Sequence, residues 1–154
     1  MQQELDPLDR RILQALQEDA SRSTAEIAEM VGMSQSPCWR RIQRLKDEGF
    51  IRSQVAIVDR RKVGLNAQVF VLVKLTMHGR QNLDEFSDQI RAFDEVLECH
   101  VLMGGYDFLI RVVAADIDAY HTFFFDKLSR LPGVQEVNSV ISLSEIKSTT
   151  ALPL

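Results

Sequence analysis

The sequence predicts an α+β protein in two parts, three short helices followed by a βαββαβ module, and three observations carry that prediction. Helix-start signals recur through the first forty residues, at Asp6-Pro7, at Ser23-Thr24-Ala25-Glu26 and at Ser34. From Ala67 onward, β-branched runs alternate with segments whose apolar residues return at steps of three and four. All seven glycines, Gly32, Gly49, Gly64, Gly79, Gly104, Gly105 and Gly133, fall at the breaks between these units.

In the first part, Asp6 is placed to cap a helix that Pro7 begins, because proline's missing N–H costs nothing in the first turn. Leu8, Ile12, Ala15 and Leu16 then form one apolar stripe. Ser23 and Glu26 make a capping box for a second helix, with Ile27, Ala28 and Val31 inward and Gly32 as its stop. Ser34 starts a third, which tolerates Pro37 in its first turn and turns Cys38, Ile42 and Leu45 inward. Three short helices with a glycine turn before the last spell a helix-turn-helix. Residues 50–58 read as the strand or hairpin of a wing or connector, and Asp59-Arg60-Arg61-Lys62 as a solvated hinge that can also touch a DNA backbone. The expected division is a winged helix-turn-helix over 1–62 and a second domain over 63–154.

Stepping about 100° per residue along the third helix sets Ser36, Arg40 and Gln43 opposite the buried stripe. Trp39 and Arg44 flank them, and Gln35 opens the helix. Hydroxyl, guanidinium and amide groups on one outer face contact phosphates, and Arg and Gln also read base edges. The same residues are good surface helix formers, so spacing alone leaves a solvated face equally open.

In the second part, strands are expected over Val69–Met77, Val96–Met103, Phe108–Ala115 and Val134–Leu143. Leu83, Phe86, Ile90 and Phe93 mark one helix; Ile117, Tyr120, Phe124, Leu128 and Leu131 mark the other, which Pro132-Gly133 ends. This order is the ferredoxin-like split motif, a four-stranded antiparallel sheet with both helices on one face. The other face, to which Val71, Val101 and Val140 are assigned, needs a cover, and a second copy of the chain is the simplest one.

Apolar residues make up 45% of the chain and charged residues 26%, the balance of an ordinary globular protein. Residues 1–9 show no charged-then-apolar leader, and no apolar run nears the roughly 18 residues of a membrane span, so the expected location is the cytoplasm. Net charge is −4, yet residues 1–62 hold eleven Lys/Arg against ten Asp/Glu, while 63–154 hold seven against twelve. Arg40, Arg41, Arg44 and Lys46 fall within seven residues, and salt screening keeps a distant acidic domain from cancelling them. Cys38 and Cys99 are expected as reduced, buried thiols, with Cys38 in the core. His78, His100 and His121 are scattered, no hydrolase or metal signature occurs, and Cys99-His100 on a strand point to opposite faces. An enzyme and a metal site are therefore disfavoured. A metabolite-sensing adaptor that docks on a protein is the other alternative, and the basic outer face of the third helix argues against it.

The sequence resembles the Lrp/AsnC family of leucine- and asparagine-responsive regulators. The carriers are residues 5–13 (LDPLDRRIL), 33–42 (MSQSPCWRRI), Arg44-Leu45, Glu48-Gly49-Phe50-Ile51, Gly105-Tyr106-Asp107-Phe108-Leu109, Leu131-Pro132-Gly133-Val134 and 147–154 (KSTTALPL). The resemblance implies a transcription regulator that binds double-stranded DNA through Gln35, Ser36, Trp39, Arg40, Gln43 and Arg44 and uses no cofactor. It implies a homodimer built on the second-domain sheets, assembling further into tetramers or octamers. It also implies a small amino-acid effector held between dimers near Gly104, Gly105, Tyr106, Asp107 and Ser139. A glycine turn bares backbone N–H groups for a carboxylate, and Asp107 suits an ammonium; the plainer reading is that the turn closes a hairpin which Asp107 caps. Ser139 stands where many relatives carry threonine.

Overall fold

The computed structural model describes residues 4–81 and 83–154. The chain forms two compact units: one holds the residues up to Ile57 together with Lys147–Leu154, the other Val58–Ile146. The sequence pattern places the last eight residues in the second domain. They lie instead with the first unit, where Leu154 packs against the helical core.

The first unit contains α1 (Pro7–Glu18), α2 (Thr24–Val31) and α3 (Gln35–Asp47). Two of the three anticipated side-chain caps form, at Asp6 and Ser23, whereas Ser34 makes none. Asp6 accepts from the Asp9 backbone and Asp9 reaches back to the Asp6 N–H, while Ser23 and Glu26 make the same reciprocal pair. Ile12, Leu13, Ala15, Ile27, Ala28, Val31, Cys38, Ile42 and Leu45 fill the core. Gly32 closes α2 in the left-handed conformation at φ +72, where a side chain is strained, and its turn sends the chain into α3. No strand forms over 50–58. Val55 and Ile57 are 75% and 77% exposed, so this β-branched run lacks the ladder partner a wing strand requires.

The second unit runs β1 (Ala67–Leu75), α4 (Met77–Gln81), α5 (Leu83–Arg91), β2 (Val96–Val101), β3 (Phe108–Ala114), α6 (Ile117–Asp126), a 3-10 turn (Leu128–Arg130) and β4 (Val134–Ile141). The strands lie in the order β2-β3-β1-β4, every neighbouring pair antiparallel, which is the ferredoxin-like topology. Val69, Val71, Val73 and Leu75 of β1 and Phe108, Ile110 and Val112 of β3 face the helices. There they meet Phe86, Ile90, Tyr120, Phe123 and Leu128, with the Phe86 and Phe108 rings stacked at 4.4 Å.

The register corrects the assignment of the open face. Val71 is fully buried against the helices, and Val101, opposite Phe108 at the β2 edge, shares that side while remaining exposed. Val140 alone of the three lies on the open face, opposite Phe70. That face carries Phe70 and Leu72 of β1, Leu109 and Arg111 of β3, and Glu98 and His100 of β2. Arg111 and His100 both contact the Glu98 carboxylate. Cys99 is exposed rather than buried, its strand lying at the edge of the sheet, whereas Cys38 is fully enclosed.

Candidate nucleic-acid interface and ligand turn

Helix α3 presents its first half outward. Gln35, Ser36 and Arg40 are exposed and Trp39 is 53% exposed, while Gln43 is half-buried. Ser34 makes no side-chain cap, unlike the caps of α1 and α2. Pro37 has no N–H, so the open N–H groups of the first turn are those of Gln35 and Ser36, which have no acceptor among the described residues. Arg40 has no hydrogen bond or ion pair among the described residues.

Arg44 behaves differently from its sequence assignment. Its guanidinium turns back to Asp9 at 2.5 Å, and Arg41 reaches Asp9 at 2.8 Å and Asp6 at 2.5 Å. Asp9 is only 1% exposed, and its carboxylate ties the start of α1 to the middle of α3. Sequence reasoning used Asp9 only as part of a helix-start motif. The available signal was its spacing: Asp9, Ile12 and Leu13 share one face, and Arg41 and Arg44 share a face of α3. The arginines that flank Arg40 in space thus hold the helix, and Arg40 is left to face outward.

Asp6 titrates below the ordinary aspartate value because the Asp9 backbone N–H donates to it, with the Arg41 side chain adding to the effect. Burial pushes the Cys38 thiol up, against a smaller opposing pull from Arg41. Cys38 is therefore a packed core thiol, not an activated one.

The second nominated region is the turn between β2 and β3. Leu102 N–H donates to the Asp107 carbonyl and Asp107 N–H to the Val73 carbonyl, which fixes the turn against β1. Gly104 and Gly105 are exposed, neither adopts a positive φ, and a Cβ added to either meets nothing within 4 Å. Among the described residues nothing requires glycine at these two positions. Tyr106 donates its hydroxyl to Glu136 at 3.2 Å. Asp107, expected to be available for an ammonium, is already engaged: one oxygen accepts from Leu75 N–H at 2.7 Å and the other pairs with Arg80 at 2.9 Å.

Ser139 does not join this cluster. It stands opposite Val71 on the β4 side of β1, and its hydroxyl meets that of Tyr120 at 2.5 Å. The pair borders a shallow depression of about 260 Å³ lined otherwise by Ile117, His121, Phe124 and Ile141. Burial raises the Tyr120 phenol above its usual value, partly offset by the Ser139 contact.

Comparison with known proteins bears on both regions. Residues 5–46 match the AsnC-type helix-turn-helix domain, and residues 68–152 match the Lrp/AsnC ligand binding domain. The chain belongs to the Lrp/AsnC family. It is 37% identical over 150 residues to the DNA-binding transcriptional activator DecR of Escherichia coli, covering 97% of this chain and 99% of that one. It is 36% identical over 146 residues to the proline dehydrogenase transcriptional activator of Rhizobium radiobacter, covering 95% and 94%. A transcriptional regulator of Neisseria meningitidis, solved as its L-Met complex, superposes with a TM-score of 0.93 at 37% identity over 97% of each chain. As a member of the Lrp/AsnC family, this protein is a transcriptional regulator and not an enzyme. Among the described residues no group of three or more His, Cys, Asp or Glu is placed to hold a metal ion, and no helix is long and apolar enough to cross a membrane.

Proposed function

We propose that this Lrp/AsnC regulator works in the cytoplasm as a homodimer, or a larger assembly of dimers, and inserts the first half of α3 into the DNA major groove. The observation that carries this reading is the outward cluster of Gln35, Ser36, Trp39 and Arg40 beside two arginines locked to Asp9. A recognition helix contacts base edges with its N-terminal residues, and the uncapped N–H groups of α3 suit a phosphate. Gln43 stands at the margin of this surface, and Arg44 acts by positioning the helix. The dimer closes over the open sheet face, where Phe70, Leu72 and Leu109 lie beside the Arg111–Glu98–His100 cluster.

The effector is a small amino acid. Its carboxylate goes to the bare backbone N–H groups at Gly104, Gly105 and Tyr106, and Asp107 holds that turn in shape through Arg80 and Leu75. Ser139 and Tyr120 border an apolar depression elsewhere on the same unit, so a ligand that touches both the turn and Ser139 sits between subunits. The L-Met complex of the Neisseria protein supports an amino acid as the ligand class.

Arg40→Ala on a duplex selected from a randomised pool tests the DNA surface. Loss of a phosphate contact lowers the salt slope by about one; loss of a base contact relaxes preference at one position by about 1–3 kcal/mol. Unchanged affinity together with an unchanged salt slope overturns the assignment. A thermal-shift screen of the twenty amino acids tests the effector. A true ligand at 100 times its dissociation constant stabilises by about 2.7 kcal/mol, and no shift with any of them removes it.

A further inference from the structure

The last residues of the sequence make contacts that DNA and effector binding do not explain. Gln17 of α1 forms a reciprocal pair with the backbone of Leu152: its side-chain oxygen accepts from Leu152 N–H at 2.6 Å, and its side-chain N–H₂ donates to the Leu152 carbonyl at 3.1 Å. One turn away, Gln14 donates to the Leu154 carbonyl at 2.8 Å. The Leu154 side chain is half-buried against the helical core. Gln14 and Gln17 are three residues apart, so their side chains share one side of α1. A side-chain amide that satisfies both N–H and C=O of a single residue reproduces one rung of a β-ladder, the arrangement by which an extended peptide is held.

The segment is suited to that arrangement before it docks. Pro153 disfavours the helical region for Leu152 and leaves it extended, the shape the Gln17 amide grips. Pro153 also has no N–H that would need a partner between the two gripped residues. Thr149 turns the chain just ahead of this point by accepting from Ala151 N–H at 3.1 Å. Residues 143–151, between β4 and the grip, are exposed and carry no regular structure.

We propose that α1 carries a peptide-binding site for an extended apolar Leu-Pro-Leu segment, filled by the chain's own residues 152–154, so that the DNA-binding unit is clasped by the segment that follows β4. The clasp opens and recloses in the native protein, because it rests on three hydrogen bonds and one half-buried leucine that follow an exposed tether. This goes beyond DNA recognition and effector binding and stands independently of both.

The test uses the full chain with two single substitutions, each checked for unchanged helix content. Hydrogen exchange at the Leu152 amide should be slowed in the wild type and accelerated by about fivefold or more in Gln17→Ala, which removes both halves of the pair. Leu154→Asp, whose own segment is released, should take up a labelled synthetic peptide Thr-Thr-Ala-Leu-Pro-Leu saturably, with Gln17→Ala in the same chain abolishing uptake. A Leu152 amide that exchanges at the unprotected rate in the wild type overturns the clasp. Failure of the Leu154→Asp chain to bind the peptide overturns the site. Neither result affects operator binding, which is measured separately through Arg40.

Discussion

Asp9→Ala should damage the helical unit more than any other single surface-distant polar change, and the structure sets the magnitude. The substitution removes the acceptor of two guanidiniums and of the Asp6 backbone N–H. Removing one partner of a buried ion pair costs about 3–5 kcal/mol when the remaining charge is trapped. Arg41 and Arg44 are not fully trapped, since their side chains are 28% and 40% exposed and can swing toward water. The expected loss is therefore about 2–4 kcal/mol, a large part of the roughly 5–15 kcal/mol of a whole domain. In a unit of this size each kcal/mol moves the melting point by about 4–8 °C, so a drop on the order of 10 °C or more is expected. Thermal melting followed by far-ultraviolet circular dichroism reads it, with urea unfolding as the second measure. The decisive control is Asp9→Ala in an Arg41→Met, Arg44→Met background, where the cost of losing Asp9 should fall by at least half. A loss below about 1 kcal/mol, or the same loss in both backgrounds, would refute the claim that this carboxylate ties α1 to α3.

Three further outcomes follow from the same geometry. Asp6 titrates below its ordinary value of 3.8 in the folded chain, so its contribution to stability is complete above about pH 4 and is lost as pH falls from there through the lowered folded value; Asp6→Asn keeps a capping side chain and should flatten that part of the pH–stability curve, and an unchanged acid slope contradicts it. Trp39 is the sole tryptophan and half-exposed on α3, so its fluorescence should change in intensity and position when a selected duplex is added, and an indifferent spectrum places α3 away from DNA. Gly133→Ala combines a positive φ of 73 with a Cβ driven onto the Gly79 backbone, whereas Gly64→Ala has φ 87 and open space; Gly64→Ala should cost about 1–2 kcal/mol and Gly133→Ala clearly more, with equal losses in urea unfolding counting against the close approach of Gly79 and Gly133.

Local chemistry made the helices and the topology readable. The caps at Asp6 and Ser23, the stop at Gly32 and the spacing of Cys38, Ile42 and Leu45 each depend on neighbours within a turn or two, and each forms. What stayed hidden depends on pairing across the chain. In β1 both parities are apolar through Val69-Phe70-Val71-Leu72-Val73, so periodicity does not say which set meets the helices, and Val71 was placed on the wrong face. Val55, Ile57 and Val58 have strand-forming side chains, but a strand exists only with a ladder partner. The outward face of α3 was legible because it is the complement of a buried stripe on one helix. The retention of Arg44 by Asp9, 35 positions away, left only the shared-face spacing of Asp9 and of Arg41 with Arg44 as a signal, and the retention of Asp107 by Arg80 and Leu75 and the pairing of Ser139 with Tyr120, 19 to 32 positions apart, left none.

If the small amino acid proposed above is the effector, its binding must change DNA affinity, and an anisotropy titration of a selected two-site duplex reads that change. The full protein is titrated alone and then with each of the twenty amino acids in turn. A coupling of about 1–3 kcal/mol predicts that at least one amino acid shifts the binding midpoint by about 5–150-fold, and that Arg40→Ala binds more weakly with and without it. A midpoint that no amino acid moves, on a duplex the wild type binds and Arg40→Ala does not, would contradict the coupling while leaving DNA recognition by α3 in place.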